Sequence, residues 1–251
     1  MRFDFLRCIA FVAMGLGVPP VQAGIVLNTT RVIYQGADKE ASLGVQNSGS
    51  GEILLQSWLE APDAATPDTA QKKTGLPFIV TPALARMSGG GRQLLRIIHS
   101  GTGLPADRES VLWLNVQEIP QTAAENTLQI AIRQRIKVFF RPQGLEGDAL
   151  QAPEKLRWTW GGGDVLNVEN PGPYHVSMLR VSARQSGTER VSLDRQMLAP
   201  HQRLSLPLLR KGNAGPLELS FLSINDFGGQ VPYQARLNEG VAVYASKAST
   251  R

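Results

Sequence analysis

From Leu128 to Arg141 the chain reads Leu-Gln-Ile-Ala-Ile-Arg-Gln-Arg-Ile-Lys-Val-Phe-Phe-Arg, and the chemistry this spacing suits is recognition without bond making. Leu128, Ile130, Ile132, Ile136, Val138 and Phe140 alternate with a second set that holds Arg133, Arg135, Lys137 and Arg141, which is the period of two of a β-strand with one basic face. Fourteen residues exceeds the usual strand of about 5 or 6. Part of it is therefore expected to run past its own sheet, with aliphatic side chains unburied beside unpaired N–H and C=O groups. Proteins normally blunt such an edge because it recruits another chain. The pattern reads as a strand to be lent to a partner, although on alternation alone the same aliphatics would also suit this domain's own core.

Bond-making chemistry finds no support in the motifs. There is no Gly-x-Ser-x-Gly elbow, phosphate loop or His-Glu-x-x-His, so no catalytic residue, metal ligand or cofactor is nominated and no enzyme is expected. The three histidines, His99, His175 and His201, are scattered, and none is expected to act as a base or ligand. The carboxylates are dispersed too, which leaves no glycosidase pair.

The elements that must position the long strand follow from the rest of the chain. Residues 1–23 read as a secretory signal: Arg2 and Arg7, a short apolar run from Ile9 to Val18, then Val21-Gln22-Ala23 before a cleavage site that would leave Gly24 first. The run is shorter than the roughly 20 residues of a membrane span, so no membrane insertion is expected. The single cysteine, Cys8, leaves with the signal, so the exported chain would have neither disulfide nor thiolate chemistry. What remains has 24 basic and 20 acidic residues, divided evenly about Arg141, a balance that argues against a nucleic-acid binder.

Short alternating blocks separated by Gly, Asn, Asp and Pro turns fill both halves, with no helical run of ten or more residues. That rhythm predicts immunoglobulin-like β-sandwiches. The length suggests two, with a hinge at Pro142-Gln143-Gly144, where proline ends the ladder: residues 24–141 and 142–251. Ala61 to Thr74, rich in Pro, Asp and Thr, reads as a solvated loop.

Blocks in a fixed order carry a resemblance: Thr30-Arg31-Val32-Ile33-Tyr34, Gln56-Ser57-Trp58-Leu59-Glu60, Asp107-Arg108-Glu109-Ser110, Trp113-Leu114-Asn115-Val116-Gln117-Glu118-Ile119-Pro120, Arg135 to Pro142, Asn170-Pro171-Gly172-Pro173-Tyr174 and Ile224-Asn225-Asp226-Phe227-Gly228-Gly229. Together they resemble the periplasmic chaperones of the chaperone–usher pilus pathway, short-loop type. The resemblance implies an all-β protein of two immunoglobulin-like domains set at an angle around a cleft. It also implies a mechanism, β-strand donation to a pilus subunit whose fold lacks its last strand; chaperone–pilin complementation is one of the standard examples of β-augmentation.

By the same resemblance Leu128, Ile130 and Ile132 would be the donated side chains. Arg31 and Lys137 would anchor the subunit's C-terminal carboxylate, and Glu109, Arg141 and Asp226 would form an ion network across the domain junction. The partners implied are pilus subunits and an outer-membrane usher, with self-association of the free protein left open. The rival expectation is a secreted two-domain adhesion or carbohydrate-binding protein. The segment Thr81 to Gly91 departs from the family pattern in lacking its second proline and its Leu-Glu-Pro-Gly turn, which puts the local turn geometry in question.

Overall fold

The computed structural model describes residues 24–62, 76–121, 129–161, 164–209 and 215–249. The signal segment, Leu128 and nearly all of the Ala61 to Thr74 loop lie outside them. Among the described residues nine strands occupy the first half: β1 (Ile25–Leu27), β2 (Arg31–Gln35), β3 (Ala41–Asn47), β4 (Ile53–Glu60), β5 (Phe78–Thr81), β6 (Leu84–Met87), β7 (Arg92–His99), β8 (Ser110–Pro120) and β9 (Arg133–Arg141). A 3-10 turn, Ala149–Lys155, leads into the second half. It holds β10 (Arg157–Gly161), β11 (Val165–Glu169), β12 (Val176–Gln185), β13 (Thr188–Leu198), β14 (Arg203–Pro207), β15 (Leu217–Ile224), β16 (Gln230–Leu237), β17 (Ala242–Tyr244) and β18 (Ser246–Lys247).

Each half is a two-sheet sandwich. The first stacks β1-β3-β7-β5 on β2-β9-β8-β4-β6, and the second stacks β14-β11-β10-β17 on β13-β12-β15-β16-β18. Two separate apolar cores result, one around Tyr34, Leu43, Leu95, Leu114 and Val138, the other around Trp158, Leu166, Met178, Leu198 and Phe221. Alternation explains the layering: in β8 Leu112, Leu114 and Val116 face inward at 2% exposure or less, while the residues between them face the other side. The fold is all-β, as expected.

Two strand boundaries depart from the sequence reading. Leu84–Met87 is a strand that its sequence hides, because the chain crosses from one sheet to the other at Pro82 and Ala83 and only four residues follow before the Gly-rich turn. The crossing is pinned where the Ser57 hydroxyl donates to the Pro82 carbonyl at 2.8 Å. The second departure matters more. The long strand is nine residues, Arg133–Arg141, rather than fourteen, and residues 129–132 carry no ladder of their own.

Candidate functional site

β9 is flanked unequally. Along one side β8 pairs with it from Arg133 to Phe140; along the other, β2 runs parallel to it only from Arg31↔Lys137 to Gln35↔Arg141. From Ile136 back toward residue 129, no described strand covers that second edge. The inward parity that buries Ile136, Val138 and Phe140 continues through Gln134 to Ile132 and Ile130, but the core has ended there. Ile132 is 38% and Ile130 66% exposed. These two aliphatics therefore do not belong to the domain's own core, the plainer reading that alternation had left available.

The opposite, basic face of β9 lies on aromatic rings. Arg133 sits over Trp58 at 5.9 Å, and Arg135 and Lys137 over Trp113 at 4.4 and 5.4 Å, with Arg135 also paired to Glu60 at 3.1 Å. Such stacking holds long cationic side chains in one orientation. Trp58 and Trp113 are thus supports for cations, a role that the sequence reading had not assigned them.

Arg31 and Lys137 are direct cross-strand partners, placed where the uncovered edge of β9 begins. Among the described residues neither has a carboxylate within salt-bridge reach. Arg31 is 9% exposed; its Nη1 donates to the Ile224 carbonyl at 3.0 Å, its Nε has no partner, and its guanidinium lies 5.7 Å from the Phe139 ring. Burial lowers its pKa, partly opposed by Asp226 and Glu109. Lys137 is half-buried, and burial, reinforced by the charges of Arg31 and Arg195, pulls its pKa below the ordinary lysine value. Two poorly hydrated cations side by side, without a counter-ion, favour an incoming carboxylate.

Arg141, farther along the same face, is fully engaged. Its Nε donates to Glu109 Oε2 at 2.8 Å, and Nη1 and Nη2 donate to the two oxygens of Asp226 at 2.7 Å each. Glu109 Oε1 in turn accepts from the His175 backbone N–H at 2.9 Å and lies 2.8 Å from its Nδ1. Burial alone would lower the Arg141 pKa, but the hydrogen bonds and charges of Asp226 and Glu109 outweigh it and hold the guanidinium above its usual value. The group joins the two halves, because Glu109 and Arg141 come from β8's approach and β9, whereas His175 and Asp226 belong to the second sandwich.

Local sequence explains how Asp226 is presented. Asn225 Oδ1 accepts from the N–H groups of Phe227 and Gly229 at 3.1 and 2.8 Å, closing a tight turn around it. Gly228 takes φ +81°, and a β-carbon there would meet Thr30 Oγ1 at 2.7 Å, so the turn can lie against the residue preceding Arg31 only with glycine at that point. His175 was not expected to have a role. Its one sequence signal was its place directly after the Asn170 to Tyr174 block. Arg31, Glu109, Phe139, Arg141, His175 and Asp226 line one cleft between the halves.

Comparison with known proteins matches residues 24–146 to the N-terminal domain of the PapD pili and flagellar-assembly chaperones and residues 151–235 to the PapD pili assembly chaperone C-terminal domain. The probable fimbrial chaperone YadV of Escherichia coli K12 is 36% identical over 245 residues, covering 93% of this chain and 95% of that protein. The chaperone protein FimB/FhaD of Bordetella pertussis is 39% identical over 228 residues, covering 87% and 90%. Among solved structures, the YadV crystal structure superposes with a TM-score of 0.72 at 37% identity, covering 86% of this chain and all of that one. The Salmonella enterica SafB chaperone complex with the SafA pilin gives a TM-score of 0.68 at 29% identity, covering 86% and 97%. Both halves of the sandwich pair and almost the full length are accounted for, and the chain belongs to the family of PapD-like pilus-assembly chaperones.

Proposed function

We propose that this chain, exported to the periplasm, captures pilus subunits by lending them the exposed start of its long strand and then delivers them to an outer-membrane usher. Leu128, which lies outside the described residues, and Ile130 and Ile132 enter the subunit's open groove. Each aliphatic buried contributes about 1.5 to 3 kcal/mol. Backbone pairing along the free edge sets direction, and a slip of one residue would turn the polar parity inward.

Arg31 and Lys137 receive the subunit's C-terminal carboxylate, guanidinium by a bidentate bond and ammonium as a compact charge. Ile132 stands five residues from Lys137, about 17 Å along an extended chain, so a fixed tail fixes the register of the inserted side chains. Glu109, Arg141, Asp226 and His175 hold the inter-domain angle that keeps the two cations at the cleft. No catalytic step is required, since the work is binding.

The observation that carries this reading is Ile130 and Ile132 standing exposed on the inward parity, beside an edge left uncovered up to the unpaired Arg31 and Lys137. Co-expression with a fimbrial subunit, with cysteines at Ile130 and at successive groove positions of the subunit, tests it by disulfide cross-linking. Cross-links should alternate with the strand period. Uniform or absent cross-linking at undiminished complex yield would place the subunit elsewhere.

A further inference from the structure

Glu118 is an acid where an apolar residue would be expected. It follows Leu112, Leu114 and Val116 on the inward face of β8, opposite Leu55 of β4, and is 5% exposed. Its Oε2 has no hydrogen-bond partner, and no described lysine or arginine is paired with it. A lone buried carboxylate is costly unless something neutralises it, and burial raises its pKa, against a backbone hydrogen bond from Ile132. The Glu118 N–H also donates to the Ile132 carbonyl at 3.1 Å, so both ends of this residue grip the point where the exposed segment joins β9.

Gly24 lies against the same carboxylate. A β-carbon on Gly24 would collide with both oxygens of Glu118, so a side chain there would displace the carboxylate. The next residue opens β1, and its carbonyl accepts from Gln134 Nε2 at 2.9 Å. The Gly24 nitrogen is one N–Cα bond, about 1.5 Å, from the carbon that touches the acid. Hydrolysis of the Ala23–Gly24 bond by a signal-cleaving peptidase places the hydroxyl of water on the Ala23 carbonyl and its hydrogen on the Gly24 nitrogen. After proton transfer Ala23 ends as a carboxylate and Gly24 as an α-ammonium.

We infer that Glu118 is the counter-ion of that α-ammonium, so that signal removal completes an ion pair tying the new N-terminus to the root of the exposed segment. The pairing rests on cleavage after Ala23 and not on strand donation. Its consequence is local: Ile132 is bonded through its N–H and its carbonyl to a residue whose charge is balanced once the signal has gone.

The test uses protein purified from the periplasm. Mass spectrometry defines its first residue, and acetylation of the α-amine, followed by peptide mapping across a pH series, gives the midpoint at which the amine becomes reactive. Restricted access lowers the rate at every pH, whereas an ion pair moves the midpoint upward. The expected result is a midpoint about one pH unit higher in the folded protein than in the same protein unfolded in urea, a roughly tenfold loss of reactivity below it. Glu118→Gln should return the midpoint to the unfolded value while lysine reactivity is unchanged. If Glu118→Gln does not fold, the wild-type comparison decides alone. Equal midpoints in folded and unfolded wild type overturn the pairing. A mature chain starting at any residue other than Gly24 overturns it through its cleavage premise and leaves the strand-donation reading standing.

Discussion

Lys137 and Arg141 lie on the same face of one strand and have opposite surroundings. Arg141 is held by two carboxylates at 2.7 to 2.8 Å, and one of those is itself held by His175. Lys137 has an aromatic ring beneath it, a second cation beside it and, among the described residues, no acid within salt-bridge reach. A buried charge with matched partners builds geometry, whereas one without them is a candidate site for a ligand. The same strand is therefore a structural strut at one end and, in the proposed function, a receptor for a tail at the middle, and beyond that it is an exposed apolar segment.

The contrast breaks most severely at the apolar end. Ile132→Asp would place a carboxylate in a dry groove, at a cost of several kcal/mol, so co-purification with a subunit should fall more than 100-fold while the free protein keeps its urea midpoint. Unchanged complex yield would remove Ile132 from the donated set. At the strut, Glu109→Ala leaves Arg141 and His175 without their shared acid; a loss of about 3 to 5 kcal/mol in unfolding free energy is expected from the buried pair, read from urea denaturation. A loss under about 1 kcal/mol would mean that Asp226 alone suffices.

Lys137→Ala reverses that pattern. Stability should change by less than about 0.5 kcal/mol, since no partner is stranded, while affinity for a subunit falls by about 2 kcal/mol, roughly 30-fold, as expected for losing one charge-assisted contact. A variant that unfolds early but still binds would exchange the roles of the two cations. The smallest effect is in pH. A bound carboxylate raises the Lys137 pKa, so binding takes up protons in alkali, and affinity should decline as pH rises through the depressed lysine value of the free protein, earlier than for an ordinary lysine. Stability of the free protein moves the other way over that range. The unfolded chain binds more protons at this lysine than the folded one does, so unfolding free energy rises with pH. Lys137→Arg, which stays charged, should flatten the decline in affinity measured by titration.

Legibility differed between the same regions. Parity along β9 could be read directly, because side chains alternate whatever a strand pairs with, and it correctly assigned Ile136, Val138 and Phe140 to one face. The end of the strand could not be read. Where a ladder stops depends on the partner strands, and the register of β2 against β9 joins residues more than a hundred positions apart. His175 escaped notice because a histidine between turns carries no local pattern, and Glu109 reaches it only once two sandwiches meet. Glu118 lies inside the Trp113 to Pro120 block, and its meeting with Gly24 depends on segments more than ninety positions apart.

The chain's own order of residues determined two sandwiches, the basic and apolar faces of the long strand, and which cations resembled an anchor, because each depends on alternation, turn residues or local motif. Tertiary structure alone decided which of those cations kept a free charge and which aliphatics were left outside the core. Both outcomes are differences in burial and in distance to a partner, and such differences arise only when strands distant in sequence are brought side by side.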